Sequence, residues 1–178
     1  MNLRIDDHLS LGYFLPGDVA DIANYLNDID IYNNTLRIPH PYTLKHAEEW
    51  VAENIEKQQG NEPIENFTLR YDNKIIGGIG YMPCSGNRAH TAEIGYWIAK
   101  PYRNKGLMTK AVGFFCDMVF ANHAFIKLTA YTYTSNAASS VVLEKNGFKQ
   151  EGTIEKHYQK NGNWIDCKLY ALIRPELD

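Results

Sequence analysis

The segment from Ala92 to Thr109 constrains the fold of this chain more than any other. Ala92 to Ala99 is an apolar run with β-branched and aromatic residues, closed by Lys100-Pro101, and it reads as a buried strand. Pro101 ends the strand because proline has no N–H to give to a ladder. After a short turn, Leu107, Ala111, Phe114, Phe115, Met118 and Val119 recur at spacings of three and four, which predicts a long helix beginning after Gly106. Strand, tight loop and helix in that order aim backbone N–H groups and the positive end of a helix dipole at one point, a place for a phosphate-bearing ligand. Charge agrees: between Ile94 and Cys116 there is no acid, whereas Lys100, Arg103, Lys105 and Lys110 are basic. An ordinary βα turn with a solvated basic helix start is the alternative on the loop alone. Neither nucleotide motif of similar geometry fits. No G-x-x-x-x-G-K-[ST] is present, and Gly77-Gly78-Ile79-Gly80 lies inside a strand-like run that opens no helix.

The chain has 178 residues, enough for one domain spanning 1–178. A net charge of −3 argues against a nucleic-acid binder, which would usually be basic. Cys84, Cys116 and Cys167 are odd in number and in no metal-ligand spacing, so they read as reduced, buried thiols of a cytoplasmic protein with no metal. Asp6 and Asp7 stand where a secretory signal would be apolar, and the longest apolar runs fall far short of the ~20 residues a membrane helix needs, so neither export nor membrane insertion is expected.

In chain order, Leu9 to Leu15 reads as a strand, and Pro16-Gly17-Asp18 turns it into a helix with Asp18 as N-cap and Val19, Ile22, Ala23 and Leu26 inside. Each residue before a proline in Ile38-Pro39-His40-Pro41-Tyr42 is pushed out of the helical region, so that stretch is extended. Thr43 then caps a helix that ends at Gln59-Gly60-Asn61. Ile64 to Tyr71 and Lys74 to Cys84 form a hairpin about Asp72-Asn73. Phe125 to Thr134 is a strand, Asn136 to Asn146 a helix closed by Gly147, and Phe148 onward a last hairpin turning at Asn161-Gly162 and returning from Trp164 to Ile173. The order β-α-α-β-β-β-α-β-α-β-β predicts an α/β (α+β) fold: a mixed, mainly antiparallel sheet with helices on both faces.

Arg103 and Gly106 match the pyrophosphate loop of the GNAT superfamily of acyl-CoA N-acyltransferases, [RQ]-x-x-G-x-[GA], and the chain resembles that superfamily in element order over nearly its whole length. Pro39 to Thr43, Ala92 to Trp97, Arg103 to Thr109, Asn136 to Ser139 and Leu143 to Phe148 resemble the branch of ribosomal-protein N-terminal acetyltransferases. In that branch Met108, in place of the small loop residue, is a familiar variant. The resemblance implies a cytoplasmic N-acetyltransferase with acetyl-CoA as cosubstrate and an amine as acceptor. It implies cofactor contacts from Trp97, Ile98 and Ala99 on the central strand, from Arg103, Asn104, Lys105, Gly106, Leu107, Met108 and Thr109 in the loop, and from Asn136, Ser139 and Lys145 on the following helix. The alternatives are an acyl-CoA-binding sensor or scaffold without catalysis, or an acetyltransferase of a small amine. Monomer and homodimer both remain open.

Acetyl transfer needs a neutral amine, a stabilised oxyanion and a protonated leaving thiolate. An α-amine titrates near ~8 and lysine near ~10.4, so a base helps. Glu93 is the one acid in an otherwise apolar strand, where partial burial would raise its pKa into the useful range. A solvated Glu93, or one paired with Arg88, is the alternative. A backbone N–H near Trp97 and Ile98 is the expected oxyanion donor. The family's usual thiolate donor, a Tyr seven residues after the helix-opening Asn, is replaced here by Leu143. Ser139 near a helix N-terminus and Tyr158 are the candidates in its place. From Ile5 to Leu36 there are six acids and no Lys or Arg, so the front of the chain and the basic loop are expected to present opposite fields that draw in a cationic amine and an anionic cofactor from different sides, unless the acids are merely a solvated face. Tyr32, Asn33 and Tyr42 offer amide and phenol groups to the acceptor, expected to be a polypeptide N-terminus or a similar α-amine.

Overall fold

The computed structural model describes residues 2–60 and 63–175. Eight strands run in the order β1-β2-β3-β4-β5-β6-β8-β7. They are β1 Asn2–Arg4, β2 Leu9–Gly12, β3 Asn66–Tyr71, β4 Lys74–Pro83, β5 Thr91–Ile98, β6 Lys127–Tyr133, β7 Lys149–Lys160 and β8 Asn163–Ile173. The helices are α1 Val19–Leu26, α2 Ile29–Asn34, α3 Leu44–Gln59, α4 Leu107–Asn122 and α5 Ala137–Lys145. The pairings β1–β2, β2–β3, β3–β4, β6–β8 and β7–β8 are antiparallel, and β5–β6 is parallel. This is the mixed, mainly antiparallel sheet expected from the element order. Strand β1 and the six-residue helix α2 were not expected, because each is too short to show a period. Strand β2 also stops at Gly12, three residues before Leu15. Asn61, the end of the expected stop after α3, lies outside the described residues.

The chain divides into two compact units, one of Met1–Gly80 with Tyr96–Ala111, the other of Tyr81–Gly95 with Val112–Asp178. In the first, α1, α2 and α3 bury Ile22, Leu26, Ile31, Ala47 and Val51 with Phe14, Ile75, Trp97 and Ala99. Thr43 caps α3 as expected, its hydroxyl accepting from the His46 N–H at 3.3 Å. Asp18 does not cap α1. Its carboxylate is buried, accepts from the Leu15 N–H at 2.8 Å and pairs with Arg70 at 2.5 Å. The β3–β4 turn has left-handed φ at Asp72 (48°) and Asn73 (65°), which short polar side chains tolerate. Within the same unit Gly77 and Gly78 face Trp97. A Cβ on Gly77 would stand 2.5 Å from the Trp97 carbonyl oxygen, and one on Gly78 2.7 Å from the indole nitrogen, so the glycine run makes room for a tryptophan.

In the second unit the buried side of α4 is Val112, Phe115, Cys116, Val119 and Phe120, with Phe114 and Met118 only half-buried. The apolar stripe is therefore rotated by about one residue from the expected one, because the helix is apolar nearly all round and periodicity alone does not set its azimuth. Asn136 caps α5, its side-chain oxygen accepting from the Ser139 N–H at 3.1 Å, and Gly147 (φ 80°) follows that helix. The turn at Asn161 (φ 51°) and Gly162 (φ 78°) has the doubly left-handed geometry of a tight hairpin.

Candidate active site

In the first unit β5 runs into a 3-10 turn, Lys100–Tyr102, after the Ala99 N–H bonds the Ile76 carbonyl at 2.8 Å. The chain then takes left-handed φ at Asn104 (61°) and at Gly106 (73°) before α4 begins at Leu107. Alternation of this kind turns successive N–H groups toward one side, and the first turn of a helix adds N–H groups with no partner inside the helix. The arrangement suits a pyrophosphate. Asn104, Lys105 and Gly106 are exposed, Leu107 and Thr109 half-buried, and Met108 packs inward. The Lys105 ammonium stands 5.5 Å over the Tyr102 ring.

The Arg103 side chain is held within the protein. Its guanidinium pairs with Asp28 at 2.6 Å and Asp30 at 3.1 Å, and its Nε donates to the Ile98 carbonyl at 3.3 Å. Lys100 also reaches Asp30 at 3.7 Å, and Lys110 pairs with Asp6 at 2.6 Å. The acidic front of the chain and the basic loop therefore do not present separate opposite fields; three acids of the one neutralise three bases of the other. Arg103 fastens the loop to the N-terminus of α2. The Asp28 carboxylate also accepts from the Asp30 N–H at 2.9 Å, so the same residue caps the helix and holds the arginine.

Of the residues expected to meet the acceptor, Tyr42 is only 8% exposed and belongs to the core, where burial pushes its phenol up to about 12. Tyr32 is half-buried with its ring 5.6 Å from His40, and Asn33 is exposed.

In the second unit the parallel register of β5 on β6 runs from Thr91 opposite Lys127 to Glu93 opposite Thr129. Opposed residues of a parallel pair share a face and alternate residues return to it, so Glu93, Thr129, Tyr131 and Tyr133 share one face. Thr132 points the other way, its hydroxyl 3.4 Å from that of Ser140 on α5. On the Glu93 face Tyr133 is opposite Cys167, which is opposite Ile154. Between Ile154 and Tyr158 the register of β7 slips, with Lys156 at φ 50° and its N–H held by the Asp166 carboxylate at 2.7 Å. This bulge re-aims two rings: His157 stacks on Tyr131 at 4.8 Å, and Tyr158 lies 6.4 Å from Tyr131 and 6.3 Å from Tyr133. Burial, and next the negative charge of Glu93, raise the Tyr158 phenol to about 12, so it is a neutral donor at physiological pH. Glu93 is half-buried. Glu93 and Tyr158, separate in the sequence, are thus electrostatic neighbours.

Ser139 is half-buried in the first turn of α5, Leu143 is fully buried, and Lys145 is exposed. Asn136 spends its side-chain oxygen on the helix cap, so its amide nitrogen is the group that can donate to a ligand. Sequence reasoning missed Asp28 and Asp30 as partners of the loop, and the grouping of Tyr131, Tyr133 and His157 with Tyr158. The Tyr131/Tyr133 alternation was a visible signal; the bulge that brings His157 and Tyr158 to it was not. Among the described residues, no three His, Cys, Asp or Glu side chains are grouped to hold a metal, and no helix is long and apolar enough to cross a membrane.

Left-handed turns at Asn104 and Gly106 ahead of a helix N-terminus are features of a phosphate-binding loop, and the family match gives the class, an acetyltransferase. The family described as "Acetyltransferase (GNAT) domain" matches residues 8–149, and the chain belongs to it. It is similar to the probable N-acetyltransferase YjcK of Bacillus subtilis, with 29% identity over 171 residues, 92% of this chain and 94% of the relative. Among solved structures it resembles the ribosomal-protein-S5-alanine acetyltransferase of Vibrio fischeri (TM-score 0.82, 25% identity, 97% of this chain and 96% of the other). It also shares its fold with a RimL ribosomal L7/L12 α-N-protein acetyltransferase in complex with coenzyme A (TM-score 0.84, 18% identity, 97% and 98% covered).

Proposed function

We propose that this protein acts as a single N-acetyltransferase domain that moves the acetyl group of acetyl-CoA to a free α-amine, as at a polypeptide N-terminus, in a reducing cytoplasm. The observation that carries the chemistry is the pairing on one sheet face of Glu93 with a phenol, Tyr158, that stays protonated. The loop from Arg103 to Thr109 fits the cosubstrate's phosphates by its backbone and Lys105, and Asn136 supplies an amide donor. Acetyl-CoA supplies the activated acetyl group. Glu93 takes the proton that the amine sheds as its nitrogen attacks the thioester carbonyl, directly or through a water; a backbone N–H near Trp97 and Ile98 stabilises the oxyanion; Ser139 or Tyr158 returns a proton to the sulfur as the C–S bond breaks. The family match runs through both compact units, which supports one domain. Cys84, Cys116 and Cys167 are all unpaired, consistent with a reducing compartment.

The α-amine is favoured on acidity, since its ~8 lies more than two units below the ~10.4 of lysine and leaves far more neutral amine at pH 7. The similarity to a ribosomal-protein-S5-alanine acetyltransferase points the same way. The test is thiol release from acetyl-CoA with free and N-blocked peptides, polyamines and aminoglycosides. Release that depends on a free peptide N-terminus is expected. Preference for N-blocked lysine peptides or polyamines would remove the α-amine reading, and release with no amine would show hydrolysis only.

A further inference from the structure

Among the described residues, two buried side-chain polar atoms have no hydrogen-bond partner: the Trp97 indole nitrogen and the Tyr133 hydroxyl. The first packs against the Gly78 gap already described. The second has no such structural explanation. Tyr133 is 6% exposed, on the Glu93 face of β6, with the buried Cys167 opposite it and the Tyr158 ring 6.3 Å away. A buried hydroxyl without a partner is destabilising, and an inert phenylalanine would fit the same space. Such a group persists where a ligand completes it.

The face on which the hydroxyl lies limits that ligand. Helix α5, with Ser139 and Asn136, begins just past the end of β6, and its Ser140 meets the opposite face at Thr132. The Tyr133 face is that of Glu93, hence of the amine. Along β6 the distance from Thr129, opposite Glu93, to Tyr133 is four residues, about 13 Å. An extended peptide whose amine lies at Glu93 covers that length with its first three or four residues, and the tyrosine side chain shortens the reach further. The half-buried rings of Tyr131, His157 and Tyr158 give the same face apolar walls.

We propose that the Tyr133 hydroxyl is a substrate-recognition group that donates to a backbone carbonyl within the first few residues of the acceptor, so that the enzyme selects short extended peptides over compact amines. This rests on the α-amine reading above and adds the length requirement to it. Tyr133 keeps its proton at any physiological pH, since burial pushes it up to about 12, so it acts as donor throughout the working range.

The experiment combines stability and kinetics of Tyr133→Phe, with Tyr170→Phe as control. The Tyr170 hydroxyl donates to Glu144 at 2.9 Å, so its removal should lower the melting temperature. Removal of the Tyr133 hydroxyl should instead raise the melting temperature of the ligand-free protein by about 2–5 °C. With alanyl peptide amides of one to four residues, kcat/KM of the wild type should climb with length, and Tyr133→Phe should lose about five- to tenfold of that gain while its KM for acetyl-CoA stays put. A melting temperature that falls as in the control overturns the proposal, as does an unchanged length dependence or an effect confined to the KM for acetyl-CoA. If the wild type acetylates peptides and only these differences fail, the length requirement alone is wrong. If the wild type turns over no peptide, the α-amine reading falls and the proposal with it.

Discussion

Gly106→Ala isolates the contribution of the loop's backbone shape to cosubstrate binding. Gly106 has φ 73°, and a Cβ built on it would meet no heavy atom within 4 Å. Crowding is therefore absent, and the effect is conformational. A left-handed L-residue costs roughly 1–2 kcal/mol, and replacing glycine restricts the unfolded chain by about 0.4–1 kcal/mol, so the net loss of stability is about 0.5–1 kcal/mol. At this chain length that corresponds to a fall in melting temperature of about 1–4 °C. The variant can relieve the strain by flipping the loop out of its left-handed turn, which takes N–H groups away from the phosphates and should weaken acetyl-CoA about three- to tenfold. Two variants separate backbone from bulk. Gly106→Asn has a larger side chain but tolerates left-handed φ, so it should recover most of the affinity. Gly17→Ala, at an open position without left-handed φ, should leave both stability and affinity unharmed. Melting curves with and without acetyl-CoA, and a direct titration, read all three. An alanine variant that binds as the wild type, or an asparagine variant worse than alanine, would refute the conformational argument.

Glu93→Gln should lower kcat by about 10²–10⁴ with acetyl-CoA affinity nearly intact, measured by thiol release and titration; an unchanged kcat at pH 7 moves the base elsewhere. Asp18→Asn leaves the Arg70 charge buried beside a neutral amide, where the side chains are 6% and 10% exposed, so a loss of about 3–5 kcal/mol and a melting temperature lower by roughly 10 °C are expected. A shift no larger than that of Glu53→Gln, at the exposed Lys57–Glu53 pair, would show the buried pair to be dispensable. The Lys110 ammonium and then the His8 and Leu9 N–H groups hold the Asp6 carboxyl at about 2, well below its usual range. A carboxylate depressed in the folded state contributes stability above its unfolded pKa near 3.8 and loses it as pH falls toward 2. The stability difference between wild type and Asp6→Asn should therefore be constant at neutral pH and shrink between pH 4 and 2; a difference independent of pH there would contradict it.

Local pattern made most of the elements legible, and the motifs that resemble the GNAT superfamily pointed to the family. Thr43, Asp72-Asn73, Asn136, Gly147 and Asn161-Gly162 punctuate the chain by interactions among residues a few positions apart, so they are legible without knowing the fold. Arg103 to Gly106 was legible as a loop for the same reason, since left-handed turns demand asparagine and glycine locally. What the sequence could not decide was partnership across distance. The three-residue strand β1 and six-residue α2 carry no period. Asp18 read as a helix cap because its pairing with Arg70, 52 residues away, leaves no local trace. The acids of the front and the bases of the loop read as separate fields, and only folding salt-bridges Asp28 and Asp30 to Arg103, and Asp6 to Lys110. Tyr42 read as a phenol offered to the acceptor, and its burial in the core cluster depends on residues far from it in sequence. On the Glu93 face, strand register and a bulge at Lys156 decide which rings share the carboxylate's side of the sheet, and a shift of one residue would send each of them to the opposite side.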